Sequence, residues 1–273
     1  MQYKKYFPSP PLQDFVECYY TWHTAKYQAV RVDSPPSAFT AIVINLGAPH
    51  SIVNDDGCTK ELPQSFITGQ AVRNYAIRVD ENTHQLGIVL KPTGLFHLFG
   101  VPLYEFTNER LDLRSIGPTD FRDIEEKLLT LDDDLTRIKF LESILLKILS
   151  NRDYSRDGVD IAADQILSSY GNVRVTNLLQ QAFMSRRKFE RHFFKKVGLS
   201  PKYYARIRRF GFLCSMMAGS RQVQWNQLLH RVGYYDQSHF IRDFREFSGS
   251  SPTKYLETNL ELAHFIKPEI LRV

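Results

Sequence analysis

The C-terminal half of this 273-residue chain carries one helical pattern twice. Leu178-Leu179, Phe189, Arg191, Phe193, Gly198, Ser200-Pro201 and Tyr204 recur as Leu228-Leu229, Phe240, Arg242, Phe244, Gly249, Ser251-Pro252 and Tyr255. The offset is 50 before the turn between the two helices of each copy and 51 after it, so the second copy has one extra residue there. Stacked solenoids need three or more such units. Two copies of helix–short turn–helix joined by a long helix suit two reading heads on one DNA duplex instead. Helices are expected at about 159–170, 175–182, 185–196, 201–218, 224–231, 236–247 and 252–262. Gly171 stops the first, Ser185 and Asp236 stand as N-caps, and Pro201 and Pro252 occupy first helical positions.

Charge divides the same way. The chain has a net charge of +5, but residues 1–157 sum to −4 and residues 158–273 to +9, with +12 concentrated in 174–254. A basic region beside a mildly acidic one is the electrostatic footprint of polyanion binding. No run of eighteen apolar residues predicts a membrane span, and the N-terminus lacks the apolar core of a secretory signal. Three scattered cysteines, Cys18, Cys58 and Cys214, form no CxxC pair, which fits a reducing cytoplasm and neither a zinc nor a disulfide framework.

Within each repeat the i, i+4 phenylalanines mark a buried helix face, which turns the opposite face outward. That face carries Arg186, Arg187, Lys188, Glu190, Arg191 and Lys195 in the first copy, and Gln237, Ser238, His239, Arg242 and Arg245 in the second. Arg pairs with guanine and Gln with adenine in a major groove, while Ser and His reach single base edges. Arg186, Arg187, Lys188, Arg191, Gln237, Ser238, His239 and Arg242 are therefore expected at bases. Lys195, Lys202, Arg208, Arg209, Arg245 and Lys254 are expected at phosphates, with Arg206 beside them on the connecting helix. The apolar stripe Ile207, Phe210, Leu213, Cys214 and Met217 should bury the other side of that helix. About 18 residues of helix span about 27 Å, of the order needed to set two heads one DNA turn apart.

Residues 1 to about 115 read as short strands (Phe15-Val16, Ala41–Ile44, Ser65–Ile67, Tyr75–Ile77, Leu86–Leu90) in a small barrel or sandwich. A short helix follows at Leu95–Phe99. Ile124, Leu128 and Leu131 mark a further helix. Asp132-Asp133-Asp134 then caps another, whose seam is Ile138, Leu141, Leu145 and Ile148. That seam either packs on its own domain or pairs two chains as a homodimer. The gain in avidity from linking two DNA-binding domains favours the second as the expectation. Residues 151–158 are polar and read as a linker. The whole is an α+β multidomain chain: a β-barrel or cupin-like domain with a helical pair at 1–150, then an all-α double helix-turn-helix domain at 159–273.

The stretch Gly233-Tyr234-Tyr235-Asp236-Gln237-Ser238-His239-Phe240-Ile241-Arg242-Asp243-Phe244, with Gly249 and Ser251-Pro252, resembles the second helix-turn-helix of AraC-type (AraC/XylS) transcription regulators. Ser185 through Ser200-Pro201 is similar to the first. The resemblance covers roughly 100 C-terminal residues. It departs where the family usually has Ala, at Leu179 and Leu229, and where it usually has Gly, near Phe183. Pro10-Pro11-Leu12, Asn45-Leu46-Gly47, Gly69-Gln70 and Lys91-Pro92-Thr93-Gly94-Leu95 resemble, more weakly, the β-rich sensor domain of some of these regulators. The resemblance implies a cytoplasmic, sequence-specific DNA-binding regulator that answers to a small effector, and RNA polymerase as a further partner if it is an activator. Tyr19, Tyr20, Trp22, Phe39, Phe66 and Tyr75 could line an effector pocket or simply fill a core.

The alternatives are a metal-binding cupin-type enzyme, or a ligandless protein-interaction domain fused to a DNA-binding module. His23, His50, His84 and His97 stand isolated in sequence without an H-x-H pair, so no metal or cofactor is expected. A DNA-repair alkyl acceptor would need a Pro-Cys context that Cys18 and Cys58 lack. No catalytic constellation is evident, and a non-enzymatic protein is expected.

Overall fold

The computed structural model describes residues 2–24, 30–53, 58–79, 82–217, 223–258 and 269–272. Among these, the first sheet runs from edge to edge as β10 (Arg110–Asp112), β7 (Ser65–Thr68), β4 (Thr40–Asn45), β9 (His84–Leu90), β2 (Val16–His23), β1 (Gln2–Phe7) and β11 (Glu269–Arg272). The second is β3 (Val30–Ser34), β8 (Tyr75–Val79), β5 (Ser51–Val53) and β6 (Thr59–Glu61). All pairings are antiparallel except β1 with β11, where the C-terminal tail returns to the first sheet. Of the barrel and the sandwich that the sequence left open, the described strands form two separately hydrogen-bonded sheets.

The pleat sorts the side chains of the large sheet. Tyr19, Ile42, Ile44, Leu86 and Ile88 face one way, into the main apolar core. Tyr20 and Trp22 pack with Val32 and Ile77 of the second sheet, and Val43 and Phe66 pack with Ile52. Successive strand residues point to opposite faces, so this division follows directly from the sequence.

Helices α1 (Gly94–Phe99), α2 (Leu113–Ile116), α3 (Ile124–Leu129) and α4 (Asp134–Ser150) cover the core face. Asp133 caps α4, its carboxylate accepting from Thr136 N at 3.0 Å. The α4 seam corrects the expectation of a dimer contact. Ile138, Leu141, Leu145 and Ile148 are all buried in the same core as the sheet residues, so the seam is consumed within its own chain.

Residues 151–157 connect to the helical half, and they are fastened down. Tyr154 packs its ring against Phe15 and His97, and Arg156 pairs with both Asp14 and Asp164. Then follow α5 (Gly158–Ser168), α6 (Val175–Gln181), α7 (Arg186–Val197), α8 (Pro201–Met217), α9 (Trp225–Val232), α10 (Gln237–Ser248) and α11 (Pro252–Thr258). These match the expected helices to within about two residues, the ordinary scatter of helix ends. Position 218 and positions 259–262 of the expected helices lie outside the described residues. A second core gathers Phe189, Phe193, Phe210, Phe240, Phe244 and Phe247 around α8, with Ala38 from the β-rich half among them. Among the described residues no helix is long and apolar enough to cross a membrane.

Candidate nucleic-acid interface

Both recognition helices begin alike. The Ser185 hydroxyl accepts from Lys188 N at 3.4 Å, and the Asp236 carboxylate from His239 N at 2.6 Å. Such a cap satisfies an otherwise orphaned amide and fixes where the helix starts. Phe189 and Phe193 of α7 and Phe240 and Phe244 of α10 are buried, as the i, i+4 spacing requires. Arg186, Arg187, Lys188, Arg191 and Lys195 are accordingly exposed on α7, and Gln237, Ser238, Arg242 and Arg245 on α10. Arg186 Nε pairs with Glu190 at 2.9 Å. His239 is half-buried, its ring edge-on to Tyr234 and its Nε2 3.7 Å from Asp243. Lys202 and Lys254 are exposed beyond the Ser-Pro corners.

Two arginines of α8, Arg206 and Arg208, are placed differently from expectation. Arg206 turns inward and donates to buried Asp243 at 2.7 Å and to Glu246 at 2.5 Å, pinning α10 to the connecting helix. Arg208 lies over the Phe39 ring and donates to the Leu167 carbonyl, and its burial lowers its pKa below the usual arginine value. Both are occupied inside the fold. Arg209 donates to the Gly171 carbonyl at 3.0 Å and lines a polar recess of about 470 Å³ with Arg174, Asn172 and Asn177.

Two aromatic residues stand beside the recognition helices, outside the expected set of contacts. Phe183 is 95% exposed and Tyr235 is 94% exposed, each in the turn just before its recognition helix. Phe183 holds φ +51°, and its counterpart Gly233 holds φ +84°. The second repeat thus uses a glycine where the first puts a bulky side chain into the left-handed region. Phe183 at the usual glycine position was the available signal.

The opposite ends of the recognition helices rest on the β-rich half. Gly198 closes α7 at φ +87°, and a Cβ there would meet the Leu103 carbonyl at 2.8 Å. Thr107 donates to Gly198 O, and Tyr104 stacks on Phe194 with ring centroids 5.2 Å apart. Asn74 N donates to Phe247 O at the end of α10, and Tyr204 of α8 donates to Ala38 O at 3.1 Å.

The histidines stand isolated in sequence; folding brings two of them together and pairs a third. His23 and His84 both bond Asp134, and His97 bonds Asp160. His50 is buried with its Nδ1 3.1 Å from Gln85 Nε2. Gln85 also donates to Asn45 Oδ1 and accepts from Tyr20. Of the aromatic residues considered for a pocket, Tyr19, Trp22 and Phe66 are buried in the cores, while Tyr20, Phe39 and Tyr75 are half-buried.

These elements define a β-rich half joined to a tandem helix-turn-helix unit. Residues 178–258 match a helix-turn-helix domain family, and residues 4–112 match a domain of unknown function (DUF6597). Residues 178–258 thus form a helix-turn-helix domain of AraC type, preceded by a β-rich N-terminal region. No curated protein matches the sequence. Among solved structures it is similar to ToxT from Vibrio cholerae O395, at 11% identity over 88% of this chain and 97% of that one, with a TM-score of 0.44. It is also similar to an apo variant of ToxT from Vibrio cholerae strain SCE256 (13%, 88% and 97%, TM-score 0.46). A third is unsaturated fatty acid-bound wild-type ToxT from that strain (11%, 86% and 93%, TM-score 0.43).

Proposed function

We propose that this protein is a sequence-specific transcription regulator, in which one chain reads two successive major-groove segments of duplex DNA. The observation that carries this is the polarity of α7 and α10. Their N-terminal turns, with Arg186, Arg187, Lys188, Gln237 and Ser238, are exposed, while their C-terminal ends lie against the β-rich half. An exposed helix start offers side chains to base edges and backbone N–H groups to phosphate. Lys195, Lys202, Arg209, Arg245 and Lys254 supply backbone contacts in this reading, and Phe183 and Tyr235 pack on the groove wall beside each head. The chemistry is binding, not catalysis.

The β-rich half is the regulatory part of the proposal. In this reading the effector contacts the second-sheet side of the large sheet beside Tyr20, Asn45 and Gln85, where buried Asn45 Nδ2 has no hydrogen-bond partner among the described residues. A buried unpaired amide costs about 1–3 kcal/mol, which a ligand's acceptor group would recover. RNA polymerase is the further partner at promoters the protein activates.

Selection of the full chain on randomised duplex DNA, followed by footprinting, tests the reading. The expected outcome is two conserved patches centred about 10–10.5 base pairs apart. Protection of a single groove segment per chain, or no enrichment of any sequence, overturns it.

A further inference from the structure

His23 ends β2 and His84 begins β9, and the antiparallel register sets them directly opposite each other. Their ring centroids are 4.1 Å apart. Both Nε2 atoms converge on the first residue of α4: His23 lies 2.6 Å from Asp134 Oδ2, and His84 3.0 Å from Asp134 Oδ1. One ligand atom from each of the three residues lies within 4.8 Å of the others. Three elements distant in the chain thus bring two imidazoles and a carboxylate to one point.

We propose that His23, His84 and Asp134 bind a divalent transition-metal ion, with zinc as the best fit. Imidazole nitrogen and carboxylate oxygen are the donors that first-row divalent ions take, and two histidines with one carboxylate leave a fourth position for water. The site has access to that water, since the His23 side chain is 37% exposed. Zinc bonds of about 2.0–2.2 Å in tetrahedral geometry put ligand atoms about 3.3–3.5 Å apart. The His23–Asp134 separation of 2.6 Å is shorter than that distance and the ligand atoms all lie within 4.8 Å of one another, so small side-chain rotations suffice.

Arg137 is the obvious objection, because its Nη1 lies 2.9 Å from Asp134 Oδ1. Its other donors are committed to the carbonyls of Leu128 at 3.0 Å and Leu131 at 2.6 Å. The guanidinium is therefore tied to the corner between α3 and α4, where it orients the carboxylate, sharing Oδ1 with His84 and leaving Oδ2 to His23. Partners that fix a ligand's orientation are a regular part of metal sites. The competing account is a metal-free lock, with the histidines donating to Asp134 and fastening α4 to the sheet. This proposal stands apart from DNA binding, and neither depends on the other.

The test is titration of chelator-stripped full-length protein with Zn²⁺ alone, in a Cys58→Ser background that removes the exposed thiol. One ion per chain should bind with micromolar or tighter affinity and raise the melting temperature. Co²⁺ in its place should give the intense visible bands of tetrahedral coordination. His84→Gln and, separately, His23→Gln should weaken binding about a hundredfold, with far-UV circular dichroism unchanged. If one of the variants fails to fold, the other carries the comparison. No binding at about 100 μM Zn²⁺, or undiminished binding in a folded histidine variant, overturns the site in favour of the metal-free lock.

Discussion

His97 Nε2 lies 2.7 Å from Asp160 Oδ1, and this contact crosses from α1 of the β-rich half to α5 of the helical half. Lys196, near the end of α7, holds the other Asp160 oxygen at 2.8 Å and also reaches Asp157 at 2.9 Å. A buried carboxylate therefore joins the β-rich half to a recognition helix. Burial alone would raise the Asp160 pKa, but bonds from His97, the Asp157 amide and Lys196 outweigh it and hold the carboxyl well below the usual range. A depressed folded pKa gives stability that is fully present above the unfolded value of about 3.9 and lost as pH falls through the folded value. Asp160→Asn should cost about 2–3 kcal/mol at pH 7, less than the 3–5 kcal/mol of a fully orphaned partner, because Asp157 still meets Lys196. Urea denaturation should show the gap between wild type and variant narrowing below about pH 4. A gap independent of pH would refute the assignment.

Phe183→Gly should raise stability and weaken DNA binding together. A non-glycine residue in the left-handed region costs about 1–3 kcal/mol, part of which is offset by the greater freedom of glycine in the unfolded chain. The expected net gain is about 1 kcal/mol, read from the melting temperature. Affinity for the selected duplex should fall, since the exposed ring is lost. Unchanged affinity would leave Phe183 without a role at the DNA.

Arg187→Ala and Lys188→Ala should mainly weaken affinity, whereas Gln237→Ala and Arg242→Ala should alter the selected sequence. α7 has more positive charge than base edges can use; α10 has the mixed chemistry of direct readout. One lost bidentate base contact costs about 1–3 kcal/mol, and one lost phosphate contact lowers the salt slope by about one unit. Identical selection profiles for wild type and Gln237→Ala would count against the division.

Arg206→Ala should destabilise the helical half by about 3 kcal/mol, because Asp243 is left charged and buried. Arg206→Lys should restore little, since a point charge cannot serve Asp243 and Glu246 at once. If Arg206 touched phosphate instead, the salt dependence of binding would change and the melting temperature would not.

Leu141→Asp should unfold the β-rich half rather than split a dimer, since Leu141 is fully buried in its own core. Sedimentation with circular dichroism distinguishes a folded monomer from a molten chain.

The helical half was legible because its determinants are local. Ser185, Asp236, Pro201 and Pro252 each act within one helical turn, and the phenylalanine spacing fixes which face is buried. The inward turn of Arg206 was not legible, because it depends on Asp243 lying across a helix–helix contact 37 residues away in sequence. Nor was the pairing of His23 with His84, which follows from the register of β2 on β9 and from nothing near either residue. The α4 seam was legible as a helix face but not as to its partner. An apolar stripe records that something covers it, and only the sheet opposite decided what.

The β-rich half grips both recognition helices from behind, at Gly198 of α7 and Phe247 of α10. DNA turns about 35° per base pair, so two heads a helical turn apart enter their grooves together only when their relative rotation matches that winding. The half that holds both back ends is in effect a phase gauge. Slight reshaping of its surface between Thr107 and Asn74 would dephase the heads by a fraction of a base-pair step while every side chain at the DNA stayed the same. Spacer length in the operator is then the quantity to vary: inserting or deleting one base pair between the two patches should penalise binding more than a mismatch within either.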